Sequence, residues 1–330
     1  MKSTTNTLSL GALLRLSASQ EPQTRFMRCG ADAPAPLNSA ELEQRADSHQ
    51  KLWLAAGLGE GARVGMIATP EPETLAAIVG ATRAGVEVVL LSPALSAPEI
   101  AASLGLARAS ALTGPAEFAG VDYAKRLSEA RAAAGAVSWL MLWEVDRPRL
   151  FRPDNMHGNA PLSAAYRSEA GLAVATETGA HALSSLGLRT RAGDFVEALG
   201  VRRNDTIVSL VSPATPAGLV VSAYAPLVAG ASLVWQAPFS AAALARTLAE
   251  AGSAHLVAPA AIADELARSE LLACEQLSTL TLIVAENSRL PIFEADIDDE
   301  RVFFLRARLS GPAPLTRLSP ELDASGAELR

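Results

Sequence analysis

The chain has 330 residues, of which 49% are hydrophobic and 19% charged, with a formal net charge of −7. So apolar a chain buries enough surface to offset the entropy of ordering, which excludes intrinsic disorder and predicts one large or two smaller packed domains. With 28 Lys plus Arg against 35 Asp plus Glu and no basic run, a nucleic-acid surface is excluded; Cys29, Cys274 and four scattered histidines fit neither a disulfide framework nor a metal-ligand spacing.

Lys2 and the short apolar stretch Leu8 to Leu14 have the outline of a secretory leader. Arg15 follows directly, however, and Leu10, Leu13, Leu14 and Leu16 suit an amphipathic helix, so a first structural helix is predicted. From Trp53 to Ala116 the chain follows a script that returns from Phe195 to Ala261. A helix ends at a glycine, Gly57 or Gly200, where a left-handed cap carries no Cβ penalty. A short apolar strand follows, Val64 to Ala68 or Ile207 to Val211, then a proline turn and a second helix stopping at Gly85 or Gly230. A second strand (Val86 to Leu91, Ser232 to Trp235), a third helix and a third strand (Ala109 to Leu112, His255 to Val257) complete each copy. The spacings agree: 28 positions from Gly57 to Gly85 against 30 from Gly200 to Gly230, and 30 from Gly85 to Pro115 against 29 from Gly230 to Pro259.

Between the copies, Lys125 to Ala134 predicts a helix, Ser138 to Val145 a strand and Asp146 to Pro161 a loop. After the second copy come a strand at Leu280 to Ala285, an acidic turn at Asp296 to Glu300 and the start of more sheet at Val302 to Leu309. Continuous apolar strands alternating with helices predict an α/β fold: two similar subdomains with largely parallel sheets, covered on both faces and packed together, plus a partial C-terminal β segment. Subdomain one is expected over about 36–116, a connecting region over 117–171, subdomain two over 172–291 and the partial β segment over 292–330. The run Ile207 to Ala245 has no charged residue, yet Pro213, Pro216, Pro226 and Pro238 divide it into core-length pieces. No membrane span and a cytoplasmic location are expected.

This order resembles the N-terminal region of the AMP-forming adenylate superfamily, which includes acyl- and aryl-acid CoA ligases, luciferases and peptide-synthetase adenylation domains. The likeness rests on LNSAELEQRADSHQKLWLAAGLGEGARVGMIATPEPETLAAIVGATRAGVEVVLLSPALSAPEI, on GLRTRAGDFVEALGVRRNDTIVSLVSPATPAGLVVSAYAPLVAGASLVW and on LSTLTLIVAENSRLP. It covers most of residues 5 to 295 and is carried by scaffold positions. The resemblance implies activation of a carboxylate by ATP and Mg, with a loop resembling Thr-Ser-Gly-Thr-Thr-Gly-x-Pro-Lys around the phosphates. Here the matching stretch is Ala175-Thr176-Glu177-Thr178-Gly179-Ala180-His181-Ala182, in which Thr178 and Gly179 match and the Pro-Lys pair does not.

The three lysines, Lys2, Lys51 and Lys125, all precede that loop. The Gly-Gly-Ala adenine-side turn is replaced by Glu286-Asn287-Ser288-Arg289, and no Tyr-Gly-x-Thr-Glu motif occurs. The chain ends at Arg330, before the family's small catalytic domain, which is expected to be absent. Thr176, Thr178, Gly179 and Ser184 are the candidate phosphate-loop remnant, and Pro213, Ala214, Thr215, Gly218, Glu286 and Asn287 the candidate substrate pocket. No catalytic residue, metal site or cofactor is assigned; ATP or AMP and Mg enter only if the chain is an active ligase. The expectation is a degenerate, non-catalytic relative that binds an acyl or aryl small molecule, forms a homo-oligomer, or pairs with a full-length ligase or carrier protein. The alternative is an active acid–CoA ligase with a divergent site or a partner-supplied C-terminal domain.

Overall fold

The computed structural model describes residues 9–29, 33, 35–144, 147–151, 170–285, 301–307 and 316–317. The leucine-rich start is a helix, α1 (Leu10–Gln20), capped by Ser9, with Leu10, Leu13 and Leu14 buried. Strand β1 (Arg25–Cys29) pairs antiparallel with the two-residue β2 (Leu37–Asn38). Helix α2 (Ser39–Ala55) then opens on a capping box: Asn38 Oδ1 accepts from Glu41 N at 2.9 Å and Glu41 Oε2 accepts from Asn38 N at 2.8 Å.

The first copy of the repeat forms β3 (Arg63–Ile67), α3 (Pro72–Arg83), β4 (Glu87–Leu91), α4 (Ala97–Ala107) and β5 (Ala111–Pro115). A small hairpin, β6 (Glu117–Phe118) and β7 (Val121–Asp122), precedes α5 (Tyr123–Ala134), whose N-cap is Asp122. There follow β8 (Trp139–Glu144), β9 (Arg147–Phe151), β10 (Leu172–Thr176) and β11 (Gly179–Leu183). The second copy forms α6 (Ser185–Leu199), β12 (Thr206–Ser209), α7 (Pro216–Leu219), α8 (Ala225–Ala229), β13 (Ser232–Gln236), α9 (Ala241–Glu250) and β14 (Ala254–Pro259). The last elements are α10 (Ala263–Ala267), β15 (Leu277–Val284), β16 (Val302–Arg306) and β17 (Thr316–Arg317). The acidic turn Asp296 to Glu300 lies outside the described residues.

Between α7 and α8 the chain makes a π turn, Val220–Tyr224. Pro226 explains it: the ring has no N–H for the Ser222 carbonyl and would collide with it in a regular helix, so the helix widens there.

Among the described residues the strands form a seven-stranded sheet, β11-β10-β4-β3-β5-β8-β9, and an eight-stranded sheet, β17-β16-β15-β14-β12-β13-β1-β2. Pairing is parallel through the middle of both, with antiparallel strands at the edges. The α/β class with largely parallel sheets is therefore as expected. Sheet membership departs from chain order in two places: β1 joins the second sheet beside β13, and β10 with β11 joins the first beside β4. Strand β9 lies inside the stretch expected to be loop. Being an edge strand, it tolerates Pro148, which has no N–H to give to a further neighbour.

One apolar core joins the sheets. It takes Val64, Met66 and Trp143 from the first, Ile207, Leu233, Trp235 and Phe303 from the second, and the inward faces of α1, α2, α3 and α6. Helices α2 and α3 meet at Gly80, where a Cβ would stand 2.6 Å from Ala46 O and 2.5 Å from His49 Cβ. Among the described residues no helix is long and apolar enough to cross a membrane.

Candidate functional site

Thr176 pairs with Gly179 across β10 and β11, so only Glu177 and Thr178 connect the two strands. The expected phosphate loop is thus a two-residue hairpin turn. Its polar groups bond to one another: Thr176 Oγ1 donates to Gly179 O at 2.8 Å, Thr178 N donates to Thr176 Oγ1 at 3.3 Å, and the two threonine hydroxyls are 3.2 Å apart. With its proton engaged by Gly179 O, the Thr176 hydroxyl accepts from Thr178. Gly179 has φ +134°, a left-handed value that glycine alone adopts without strain, and a Cβ there would lie 3.6 Å from Leu106 O on α4. Glu177 and His181 are exposed. Ser184 is a helix cap: its Oγ accepts from Gly187 N at 3.1 Å at the start of α6.

The second set of candidates forms a tightly wound turn after β12. Ser212 Oγ accepts from Ala214 N at 3.2 Å and donates to Ala68 O at 2.6 Å, and Thr215 Oγ1 accepts from Gly218 N at 3.0 Å, capping α7. Pro213 is buried, Ala214 half-buried and Thr215 exposed. A Cβ on Gly218 would lie 1.9 Å from Ser212 O, so the turn closes on the glycine itself. Among the described residues no hydrogen bond joins this turn to the Thr176–Gly179 hairpin. Glu286 and Asn287 lie outside the described residues.

A polar cluster that the sequence did not single out sits where the two sheets meet. A small cleft of about 40 Å³ is lined by Arg28, Arg45, Glu71, Glu73, Trp143 and Leu37, with Glu117 and Glu144 among its other walls. It lies beyond the C-terminal ends of β3 and β8, the end at which open parallel α/β sheets place their ligand crevices. Glu73 Oε2 accepts from Arg45 Nη1 at 2.8 Å, and its Oε1 is 2.7 Å from His49 Nε2. Glu71 Oε1 accepts from Thr69 Oγ1 at 2.7 Å and from Trp143 Nε1 at 3.0 Å.

The two carboxyls shift in opposite directions. Burial pushes Glu71 up, and the bonds from Trp143 and Thr69 with the charge of Arg28 only partly offset it. Burial also acts to raise Glu73, but the hydrogen bonds and attraction from His49 and Arg45 outweigh it, so that group stands below the usual range. Glu71 and Glu73 flank Pro72 at the start of α3, where acids read as exposed helix-start residues; their signal was the apolar run that follows. A second, open groove of about 490 Å³ runs between α4 and α5, lined by Ala94 to Pro98, Asp122, Lys125, Arg126 and Glu129. Neither cleft is lined by the hairpin or by the Pro213 turn.

A family profile described as AMP-binding enzyme matches residues 14–165. No curated protein matches the sequence. The fold is similar to the N-terminal domain of FACL13 from Mycobacterium tuberculosis, at 16% identity and TM-score 0.69, over 91% of this chain and 75% of that one. It is similar to ATP-bound MatB from Rhodopseudomonas palustris, at 17% identity and TM-score 0.70, over 94% of this chain and 62% of that one. A benzoate CoA ligase from Burkholderia xenovorans LB400 aligns at 18% identity and TM-score 0.67, over 91% of this chain and 61% of that one. The chain therefore spans less than two thirds of the length of the last two. At these identities the likeness is one of fold: the chain has the architecture of the acyl-CoA synthetase N-terminal domain.

Proposed function

We propose that this chain uses the acyl-CoA synthetase N-terminal fold as a pairing or binding module and does not itself adenylate an acid. The observation that carries the reading is the two-residue connection between β10 and β11. A triphosphate needs a loop with several unengaged N–H and O–H donors and a positive charge nearby. At Thr176–Gly179 the hydroxyls and the Thr178 amide are engaged by one another, and the exposed tip adds the carboxylate of Glu177. Like charges about 4 Å apart repel by roughly 1 to 4 kcal/mol at effective dielectrics of 80 to 20. The residues present therefore do not fit ATP and Mg, and no step is assigned to them.

The wound turn at Pro213–Gly218 adds support for a protein partner over a small acid. Ser212 and Thr215 close it from both sides, and a Cβ on Gly218 would run into Ser212 O. A full-length ligase, a carrier protein or a second copy of the chain is the proposed partner class, with an acyl or aryl acid as the lesser candidate. Acid-dependent ATP–pyrophosphate exchange tests the catalytic half of the reading. The purified chain is expected to show none above a no-protein control. Exchange above that control, or tight magnesium-dependent ATP uptake in calorimetry, would instead support an active ligase with a divergent site.

A further inference from the structure

Strand β11 is one edge of the seven-stranded sheet. Val88 N donates to Gly171 O, so Gly171, Ala173 and Ala175 turn their backbone groups toward β4, and the alternate residues Leu172, Val174 and Thr176 turn theirs toward β11. Their register partners Leu183, His181 and Gly179 bond inward in return. The N–H and C=O of Ala180 and Ala182 are therefore directed away from the sheet. Among the described residues no backbone group meets them.

The other edges are built differently. Strands β2 and β17 have two residues each, and β9 carries Pro148 between Arg147 and Arg149, features that keep an edge from pairing. Strand β11, Gly-Ala-His-Ala-Leu, has five residues and neither a proline nor an Asp, Glu, Lys or Arg. His181 and Ala182 are exposed. Two of the four large apolar side chains exposed among the described residues also flank this edge. One is Leu106 on α4, whose carbonyl lies 3.6 Å from the place of a Gly179 Cβ, and the other is Leu186 in the first turn of α6.

We propose that β11 is a dimerisation edge, pairing antiparallel with β11 of a second copy of this chain and setting His181 opposite His181 across the two-fold axis. This rests on the reading of the chain as a pairing module and names its partner. The register follows from the groups on offer. Centred on His181, the N–H and C=O of each Ala180 meet those of Ala182 of the second copy, and every outward group is bonded. Centred on Ala180, Ala182 would face Thr178, whose N–H already goes to Thr176 Oγ1. Centred on Ala182, Ala180 would face Ser184, whose carbonyl already accepts from Leu188 N.

The His181 register also suits the charges. It brings Glu177, exposed at the hairpin tip, toward the start of α6 in the second copy. That first turn contains no acid and presents the positive end of a 15-residue helix. Because the remaining described edges are short or blocked, the pairing closes at two copies.

Sedimentation and light scattering of the full chain over a range of concentrations test the edge. The average mass is expected to rise from one chain toward two and to stop there; a mass of one chain at every concentration would overturn the proposal. Ala182→Pro removes an outward N–H while every bond to β10 stays, so circular dichroism should be unchanged. Its dissociation constant should rise roughly five- to a hundredfold, since two hydrogen bonds are lost per dimer. An unchanged constant in the folded variant would count against β11. His181→Cys gives an answer that does not depend on the proline variant folding. In the proposed register the two Cα atoms stand about 4.5 Å apart, within disulfide range, so mild oxidation should give a cross-linked dimer on a non-reducing gel. Glu177→Cys, equally exposed but far from its own copy, should not exceed the background from Cys29 and Cys274. Cross-linking of His181→Cys at or below that background, or equal cross-linking in the two variants, would overturn the register. A monomeric chain without ATP–pyrophosphate exchange would sink the edge pairing alone, whereas exchange would sink the pairing-module reading and leave the mass to decide the edge.

Discussion

At Gly218 one methyl group decides whether a turn closes. The Gly218→Ala side chain would enter at 1.9 Å from Ser212 O and 3.1 Å from Thr215 Oγ1, which are backbone and cap atoms with little freedom to move. The variant is expected to lose about 1–3 kcal/mol, the usual cost of overpacking, read as a lower urea midpoint at unchanged m. His255 is the second test at this scale. The ring is 2% exposed, with Nδ1 2.9 Å from Thr279 Oγ1 and Nε2 3.2 Å from Asp205 Oδ2. Burial lowers its pKa by more than Asp205 raises it. The folded ring thus binds its proton more weakly than the unfolded one. Its contribution to stability is whole above about pH 6.5, the unfolded value, and is lost as pH falls from there toward the folded value. Urea midpoints taken on either side of that window should fall further in the wild type than in His255→Gln; equal falls would remove His255 as the source. Neither Glu71 nor His255 announced this in the sequence, because burial comes from strands far away in the chain.

The elements were legible wherever local chemistry settles them. Strands β3, β4, β5, β12, β13 and β14 follow from apolar runs bounded by glycine turns, and the helices before them from the Gly57, Gly85, Gly200 and Gly230 stops. Strand β1 was not legible: Arg25 and Arg28 interrupt its apolar residues, and it is a strand because β13 pairs with it. The hairpin of β10 and β11 was read as a loop, since Thr-Glu-Thr-Gly has turn composition and nothing local shows that its flanks are in register. Helix α2 offers a direct measure of local encoding. Removing the Asn38 cap as Asn38→Ala should cost about 1 kcal/mol in chemical denaturation, while Asn38→Ser, which keeps an acceptor, should lose little. Equal losses in the two variants would show that the cap hydrogen bond is not what starts the helix.

Over the whole molecule the shared core predicts cooperative behaviour. Because Val64, Met66 and Trp143 of one sheet pack in the same cluster as Ile207, Trp235 and Phe303 of the other, neither sheet keeps its inner face covered alone. Heating is expected to give one calorimetric transition whose van't Hoff and calorimetric enthalpies agree. Two resolved transitions would mean that the copies of the repeat fold as separate units. What the residues determined unaided was periodic and short in range: the α/β class, the repeated strand–helix order, the glycine stops and the lack of lysine after Lys125. Tertiary structure decided the rest. Only in the fold does β1 cross to the second sheet, do Thr176 and Gly179 meet closely enough to close the hairpin, and do Glu71 and Arg28 face each other over a cleft. Hydrophobic periodicity and capping act within one turn or strand, whereas pairing partners and the burial of a charge depend on residues that only folding brings together.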